Sequence, residues 1–239
     1  MLGFYDYTVI LTYLSLLSAG TGIVVSLSDG GHPYWGVFFL LLCGLLDAFD
    51  GKVARTKKNR TQMEQNFGIQ IDSLADVIAF GVLPAVIGIA LLRTSPALQG
   101  AGLFGSHWSA VLIKVLLYAV LMLYMLAALI RLAYFNVTEE ERQKTEGGMR
   151  KYYTGLPVTS SSLIFPTVLL FRFIFLSFDI PFDISIVYVP VALLVGYLFL
   201  SKIKVTKPGM RGILCMIGIG LLEGVALVIF LLLKRNHVI

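Results

Sequence analysis

The sequence predicts an all-α integral membrane protein, a polytopic helical bundle, from its composition and from its apolar stretches. Of the 239 residues, 57% are hydrophobic and only 14% are charged, whereas soluble domains carry about 25% charged residues. The mean hydropathy is +0.85. Seven apolar stretches are long enough to cross a hydrocarbon core at 1.5 Å per helical residue. We therefore expect one transmembrane domain over residues 1–239, with about seven transmembrane helices.

The seven apolar stretches lie near residues 7–28, 34–53, 70–92, 109–135, 157–177, 184–201 and 211–233. The first follows a segment without the basic residues of a signal peptide and continues to full spanning length. We expect it to remain as the first helix.

Basic residues predict how these helices cross the membrane. Lys and Arg concentrate in three connections, residues 52–60, 142–151 and 202–211. The positive-inside rule assigns these connections to the cytoplasm, with the N-terminus inside and the C-terminus outside. The net charge of +5 has the same origin and favours anionic lipid headgroups or a polyanionic substrate over nucleic acid.

Four aspartates stand out in this apolar chain: Asp47, Asp50, Asp72 and Asp76. Each costs roughly 2.5 to 3.5 kcal/mol at membrane depth unless it is neutralised. The first pair is three residues apart and the second four, so each pair projects from one face of its helix. We expect the two faces to converge on one site.

A cluster of hard oxygen ligands favours Mg²⁺ or Mn²⁺ over zinc. Two such ions would balance the four carboxylates and leave positions for phosphate oxygens, an arrangement suited to displacement at phosphorus. Arg55, at the end of the predicted helix that carries Asp47 and Asp50, adds a cation that can bind a phosphate. Paired intramembrane carboxylates also mark ion pathways. A divalent-cation transporter is therefore the alternative outside the enzymes, and it predicts acidic residues distributed along a path across the bilayer.

The run Asp47-Ala-Phe-Asp50-Gly51-Lys-Val-Ala54-Arg55, followed by Gly68-Ile-Gln-Ile-Asp72-Ser-Leu-Ala-Asp76, resembles the signature of the CDP-alcohol phosphotransferase family, D-x-x-D-G-x-x-A-R … G-x-x-x-D-x-x-x-D. The resemblance implies an integral membrane enzyme, commonly homodimeric, with a six-helix core and here one extra helix. Such enzymes transfer a phospho-lipid group from a CDP-linked donor to an alcohol and release CMP. The family usually has a shorter segment between the Arg and the second Gly than residues 56–67 here, which we expect to form a polar loop.

The resemblance also implies residue roles. Two divalent cations, Mg²⁺ or Mn²⁺, would be bound by Asp47, Asp50, Asp72 and Asp76. Asp76 is also the candidate catalytic residue, as the general base for the acceptor hydroxyl. The CDP moiety would be bound by Asp50, Gly51, Ala54, Arg55 and Gly68.

Three further segments resemble the phosphatidylserine synthase branch of this family. They are the continuation from Asp72 to Pro84, the run Arg131-Leu-Ala-Tyr-Phe-Asn136 that closes the predicted fourth helix, and Gly155-Leu-Pro157. The chain departs from that branch at Tyr134, where a second Arg is common, and at Val158-Thr159-Ser160, where small apolar residues are usual. The branch implies CDP-diacylglycerol and L-serine as substrates, membrane lipids as surroundings, and a bacterial-type plasma membrane with the site facing the cytoplasm.

Arg131 and Asn136 are the predicted acceptor-binding residues, one as a carboxylate clamp and the other as an orienting amide. Alternatively, Arg131 extends to the lipid headgroups and Asn136 ends the helix. Glycerol 3-phosphate or inositol phosphate remain alternative acceptors. Each would require several cations near the fifth helix, where Arg150 and Lys151 are the additional candidates.

Overall fold

The computed structural model describes residues 3–28, 33–95, 98, 107–145, 152–177, 183–207 and 209–235. Its α-helices are α1 (Tyr7–Leu27), α2 (Pro33–Ala54), α3 (Gln62–Asp76), α4 (Leu83–Thr94), α5 (His107–Thr145), α6 (Ser161–Ser177), α7 (Ser185–Leu200) and α8 (Met210–Arg235). A π-helix (Val77–Val82) joins α3 to α4, and a 3₁₀-helix (Val158–Ser160) precedes α6. Two short strands, β1 (Tyr152–Thr154) and β2 (Lys204–Thr206), complete the described elements.

The predicted helical membrane architecture is confirmed in outline, while the count of seven spans stays a prediction. Four helical segments of the described chain are long and apolar enough to cross a membrane: Tyr7–Leu27, Gln62–Thr94, Val111–Arg142 and Arg211–Ile229. Val158–Phe171 and Val187–Leu200 are shorter apolar helices. The all-α prediction is wrong in one detail, because β1 and β2 pair antiparallel, with Tyr153 opposite Val205.

Small and hydroxylated side chains bring α1 and α2 close together. Ser18 Oγ donates to the Phe39 carbonyl at 3.1 Å, and a Cβ placed on Gly22 would lie 2.9 Å from the Phe39 Cβ. Small residues at membrane helix interfaces allow this approach of two backbones. These contacts set the register of α2 against α1, and the same helix carries Asp47 and Asp50 further along.

Helix α3 begins earlier than the sequence pattern predicts. A capping box starts it: the Thr61 hydroxyl accepts from the Glu64 backbone N–H at 3.2 Å, and the Glu64 carboxylate accepts from the Thr61 N–H at 2.7 Å. The expectation that residues 56–67 form a loop is therefore wrong for residues 62–67, which are helical. The extra length of residues 56–67 therefore extends α3 on the N-terminal side of Gly68.

A π-helix follows Asp76 directly and is held by side chains from other helices. The Tyr124 hydroxyl donates to the Phe80 carbonyl, and Ser161 Oγ lies 3.4 Å from the same oxygen. Tyr124 is buried and packs edge-on against Phe165, with ring centroids 5.4 Å apart. Since π-turns are rare and concentrate at functional sites, the position of this one beside Asp76 is informative.

Helix α5 is longer than the predicted 109–135, because it continues to Thr145. Its last turns are polar and carry the ion pair Arg142–Glu139 at 2.6 Å, an i,i+3 pair that supports a helix in water. Asn136 is therefore inside the helix, and the alternative in which it ends the helix is wrong.

Contacts of the described residues join the basic connections to neighbouring segments. Lys57, in the first connection, forms ion pairs with Asp6 at 2.6 Å and with Glu64 at 2.7 Å. The pairing of β1 with β2 joins the other two connections. Arg150 and Lys151 lie outside the described residues. The second and third connections are therefore in contact, and the assignment of all three connections to one side of the membrane stays a prediction.

Candidate active site

Three of the four predicted aspartates meet between α2 and α3. Each of Asp47, Asp50 and Asp72 offers a carboxylate oxygen, and these oxygens all lie within 4.8 Å of one another; we call them the aspartate cluster. All three side chains are half-buried. Asp50 Oδ2 also accepts a hydrogen bond from Thr12 Oγ1 of α1 at 3.2 Å. The three-residue spacing places Asp47 and Asp50 on one face of α2, and this face meets Asp72 of α3.

Asp76 is not a member of this group of three. It is the last residue of α3, one turn beyond Asp72, where the π-helix begins. Its carboxyl group interacts electrostatically with those of Asp47 and Asp72. Asp76 therefore lies near the cluster, on the side where the π-helix begins, and this position suits a role different from that of the other three aspartates.

The predicted CDP-binding residues Gly51, Ala54 and Arg55 lie at the end of α2, directly after Asp50. Arg55 is exposed, and its guanidinium turns back over Gly51, since a Cβ placed on Gly51 would lie 3.6 Å from Arg55 Nη1. The small residues leave an open surface beside a cation. This surface can accept a phosphate that also contacts the aspartate cluster.

Gly68 faces a cation that the sequence analysis missed. A Cβ placed on Gly68 would lie 2.7 Å from Arg60 Nη2, and the same nitrogen donates to the Glu64 carbonyl at 3.2 Å. The only sequence signal for this contact is the position of Arg60 just before the capping box of α3. Both glycines of the signature are thus covered by arginine side chains rather than by packed apolar groups.

The predicted acceptor residues lie on α5, and one of them contacts α3 beside Asp72. Asn136 Nδ2 donates to the hydroxyl of Ser73, the residue after Asp72, at 2.7 Å. Arg131 is only 6% exposed, with its Cζ 5.4 Å from the centre of the Phe135 ring. The alternative in which Arg131 extends to the lipid headgroups is therefore wrong. The Arg131 Nε atom lies 3.4 Å from the position of a Cβ on Gly155. Two of the three segments that resemble the phosphatidylserine synthase branch are therefore in contact.

Outside the helices that cross the bilayer, one ion network borders the site. Hydrogen bonds from Lys57 and Thr8 lower the pKa of Asp6 to about 2, and the bonds to Asp6 and Glu64 raise the pKa of Lys57. Asp6 also caps α1, since its carboxylate accepts from the Thr8 backbone N–H at 3.0 Å. The network ties the start of α1 to the segment that carries Arg55 and Arg60.

The donor set of the aspartate cluster fits a divalent cation of the Mg²⁺ or Mn²⁺ type. The ligands are carboxylate oxygens, with neither sulfur nor imidazole among them. Oxygens on opposite sides of one Mg²⁺ are about 4.2 Å apart, so a set within 4.8 Å needs little adjustment. The chain therefore has a cluster able to bind a metal ion.

Comparison with known proteins agrees with this geometry. Residues 8–198 match the CDP-alcohol phosphatidyltransferase family. The chain is 32% identical over 135 residues to the CDP-diacylglycerol–serine O-phosphatidyltransferase of Saccharomyces cerevisiae, covering 55% of this chain and 41% of the relative. It is 30% identical over 154 residues to the enzyme of the same name from Mycobacterium leprae, covering 64% and 43%.

An archaeal relative bears a different name. The chain is 34% identical over 146 residues to the archaetidylserine synthase of Methanothermobacter thermautotrophicus, covering 61% of this chain and 51% of the relative. The chain thus matches about half the length, or less, of these three curated relatives. The family match extends from α1 to α7 and includes all eight fixed signature positions, from Asp47 to Asp76. The chain belongs to the CDP-alcohol phosphatidyltransferase family.

Proposed function

We propose that this protein transfers a phosphatidyl group from CDP-diacylglycerol to the hydroxyl of L-serine, giving phosphatidylserine and CMP. The observation that carries the proposal is the aspartate cluster with Asp76 beside it and Arg55 at its edge. The names of the three relatives support serine as the acceptor. The site would face the cytoplasm of a bacterial-type plasma membrane, a placement supported by the concentration of Lys and Arg in three of the connections.

In this proposal the donor diphosphate lies at the aspartate cluster. Mg²⁺ or Mn²⁺, bound by Asp47, Asp50 and Asp72 with Asp76 as a further ligand, would neutralise charge on the diphosphate oxygens. Asp76 takes the proton of the serine hydroxyl as general base. The serine oxygen then bonds to the lipid-linked phosphorus, and the bond from that phosphorus to the oxygen of CMP breaks.

Two groups of cations would hold the substrates. Arg55, lying over Gly51, contacts the phosphate that departs with CMP, and Arg60 extends the same positive surface over Gly68. Arg131, buried beside Gly155, pairs with the serine carboxylate. Asn136, which is hydrogen-bonded to Ser73 beside the aspartate cluster, orients the serine. Homodimer formation, implied by the family resemblance, stays a prediction.

The proposal is tested with the full-length protein purified in detergent and supplied with CDP-diacylglycerol, Mn²⁺ and labelled L-serine. Wild type should release CMP and form labelled phosphatidylserine. The double variant Asp72→Asn with Asp76→Asn should lose roughly a hundredfold or more of this activity, because it removes a ligand and the general base. Asp6→Asn, a carboxylate outside the cluster, is the matched control and should remain active.

Two results would contradict the proposal. Equal phosphatidylserine formation by wild type and the double variant would remove the aspartates from the chemistry. CMP release with glycerol 3-phosphate or inositol phosphate, but none with serine, would instead retain the transfer reaction and replace the acceptor.

A further inference from the structure

A large apolar cavity lies between α2, α6 and α8. Its volume is about 590 Å³, within the range of sites that hold organic ligands. The wall from α8 includes Ile217, Leu221, Val225 and Val228, and the opposite wall includes Phe38 and Leu41. We call this space the α8 cavity.

The α8 cavity reaches the aspartate cluster. Asp47 belongs to the cluster and also lines the cavity, and the hydroxyl residues Thr159 and Ser162 line it as well. Ser162 lies against α2 near Asp47, because a Cβ placed on Gly44 would lie 2.3 Å from its Oγ. A ligand with a charged group at Asp47 would therefore have a continuous apolar space beside it.

Helix α8 is fixed in place by a buried polar contact. Glu223 is only 7% exposed, and its Oε1 is hydrogen-bonded to the hydroxyl of Thr167 on α6. Two glycines beside this contact leave room in the cavity. Gly220 lies one turn before Glu223, and a Cβ there would lie 3.3 Å from Leu163; Gly224 directly follows Glu223, and a Cβ there would meet nothing closer than Leu41 at 4.0 Å. Helix α8 lies outside residues 8–198, so this wall is not part of the family match.

We infer that the α8 cavity holds one acyl chain of the lipid donor and that α8 limits the chain length that fits. The inference rests on the proposed function for the identity of the donor. The lipid-linked phosphorus must lie at the aspartate cluster, and the glycerol and its chains follow that phosphorus directly. Asp47 marks the entrance, and the apolar lining of α2, α6 and α8 matches a hydrocarbon chain.

The substitution Gly224→Leu tests the inference by placing a side chain in the cavity. Its matched control is Gly218→Leu on the same helix, because Gly218 does not line the cavity and its Cβ would meet nothing within 4 Å. CMP release is measured in detergent with dioctanoyl and with dioleoyl CDP-diacylglycerol. Gly224→Leu should lower the rate with the dioleoyl donor roughly tenfold relative to the dioctanoyl donor, whereas Gly218→Leu should keep the wild-type ratio.

A second measurement needs no turnover. CDP-diacylglycerol with a photoreactive diazirine near the end of one acyl chain should label the cavity-lining residues of α8 in wild type, and Gly224→Leu should reduce that labelling. Labelling confined to outward-facing residues such as Leu222, with an unchanged donor ratio in Gly224→Leu, would overturn the inference while leaving the transfer reaction intact. Labelling inside the cavity by a wild-type protein that releases no CMP would support the lipid site and refute the proposed reaction.

Discussion

The charge balance of the aspartate cluster makes its response to metal the sharpest test of the site. Asp72→Asn removes one of three carboxylates whose oxygens lie within 4.8 Å of one another. At that separation and an effective dielectric constant of about 20, two ionised carboxylates repel by about 3.5 kcal/mol. The substitution removes two of the three repulsive pairs, so it relieves about 7 kcal/mol when all three carboxylates are ionised, and correspondingly less when one of them is protonated.

The expected result is an opposite effect of the substitution with and without metal. In EDTA at pH 8, Asp72→Asn should unfold at a higher temperature than wild type, because repulsion in the empty cluster is smaller. With Mn²⁺ at a hundredfold excess over its Kd, wild type should gain about 2.7 kcal/mol, or roughly 5 to 10 °C in Tm. The variant should gain much less, because it lacks a ligand.

The assay is thermal unfolding of the purified protein in detergent, with and without Mn²⁺, for wild type, Asp72→Asn and the control Asp6→Asn. Asp6 lies outside the cluster and pairs with Lys57, so its variant should show the wild-type shift on adding metal. Equal shifts in wild type and Asp72→Asn would refute the assignment of Asp72 as a metal ligand.

Two further predictions concern the elements around the site. Because the pKa of Asp6 falls from 3.8 to about 2 on folding, its ion pair with Lys57 stabilises the protein fully above about pH 4. The difference in Tm between wild type and Asp6→Asn should therefore be constant above pH 4 and shrink as the pH falls toward 2; a difference that grows on acidification would contradict this. Gly155→Ala should lower stability by more than about 1 kcal/mol, because Gly155 has φ +78° and a Cβ there would lie 2.6 Å from the Phe199 carbonyl oxygen. Gly209→Ala, which meets nothing within 4 Å, is the control, and equal Tm values for the two alanine variants would show that the close contact is not strained.

The parts of the site that the sequence predicts are those fixed by local spacing. Asp47 and Asp50 lie one turn apart on α2, and Asp72 and Asp76 one turn apart on α3, as their three- and four-residue intervals require. The apolar stretches likewise predict the helices, since a membrane forces each one to satisfy its own backbone hydrogen bonds. The start of α3 was also readable, because Thr61 and Glu64 have the spacing of a capping box, but the polar residues around them favoured a loop.

Other features depend on contacts between distant segments, which spacing does not reveal. The π-helix after Asp76 is held by Tyr124, 44 residues after Phe80, whose carbonyl it binds. The cation over Gly68 comes from Arg60. The two residues are close because residues 62–67 are helical, whereas their polar sequence favoured a loop. Helix α5 was predicted to end where its apolar residues end, although its polar last turns continue as a helix.

The same distinction, between local spacing and contacts of distant segments, separates the reaction from its specificity. The chemistry depends on carboxylates that two helices bring together by their period, so a short motif suffices to identify it. In the proposed site, recognition of the acceptor involves Asn136, which is placed by its hydrogen bond to Ser73, 63 residues away in sequence. The shape of the α8 cavity, where we propose an acyl chain, depends on the contact of Glu223 with Thr167, 56 residues away. Because such contacts can change while the motif stays intact, this fold can retain one transfer reaction and exchange the alcohol or the lipid that it uses.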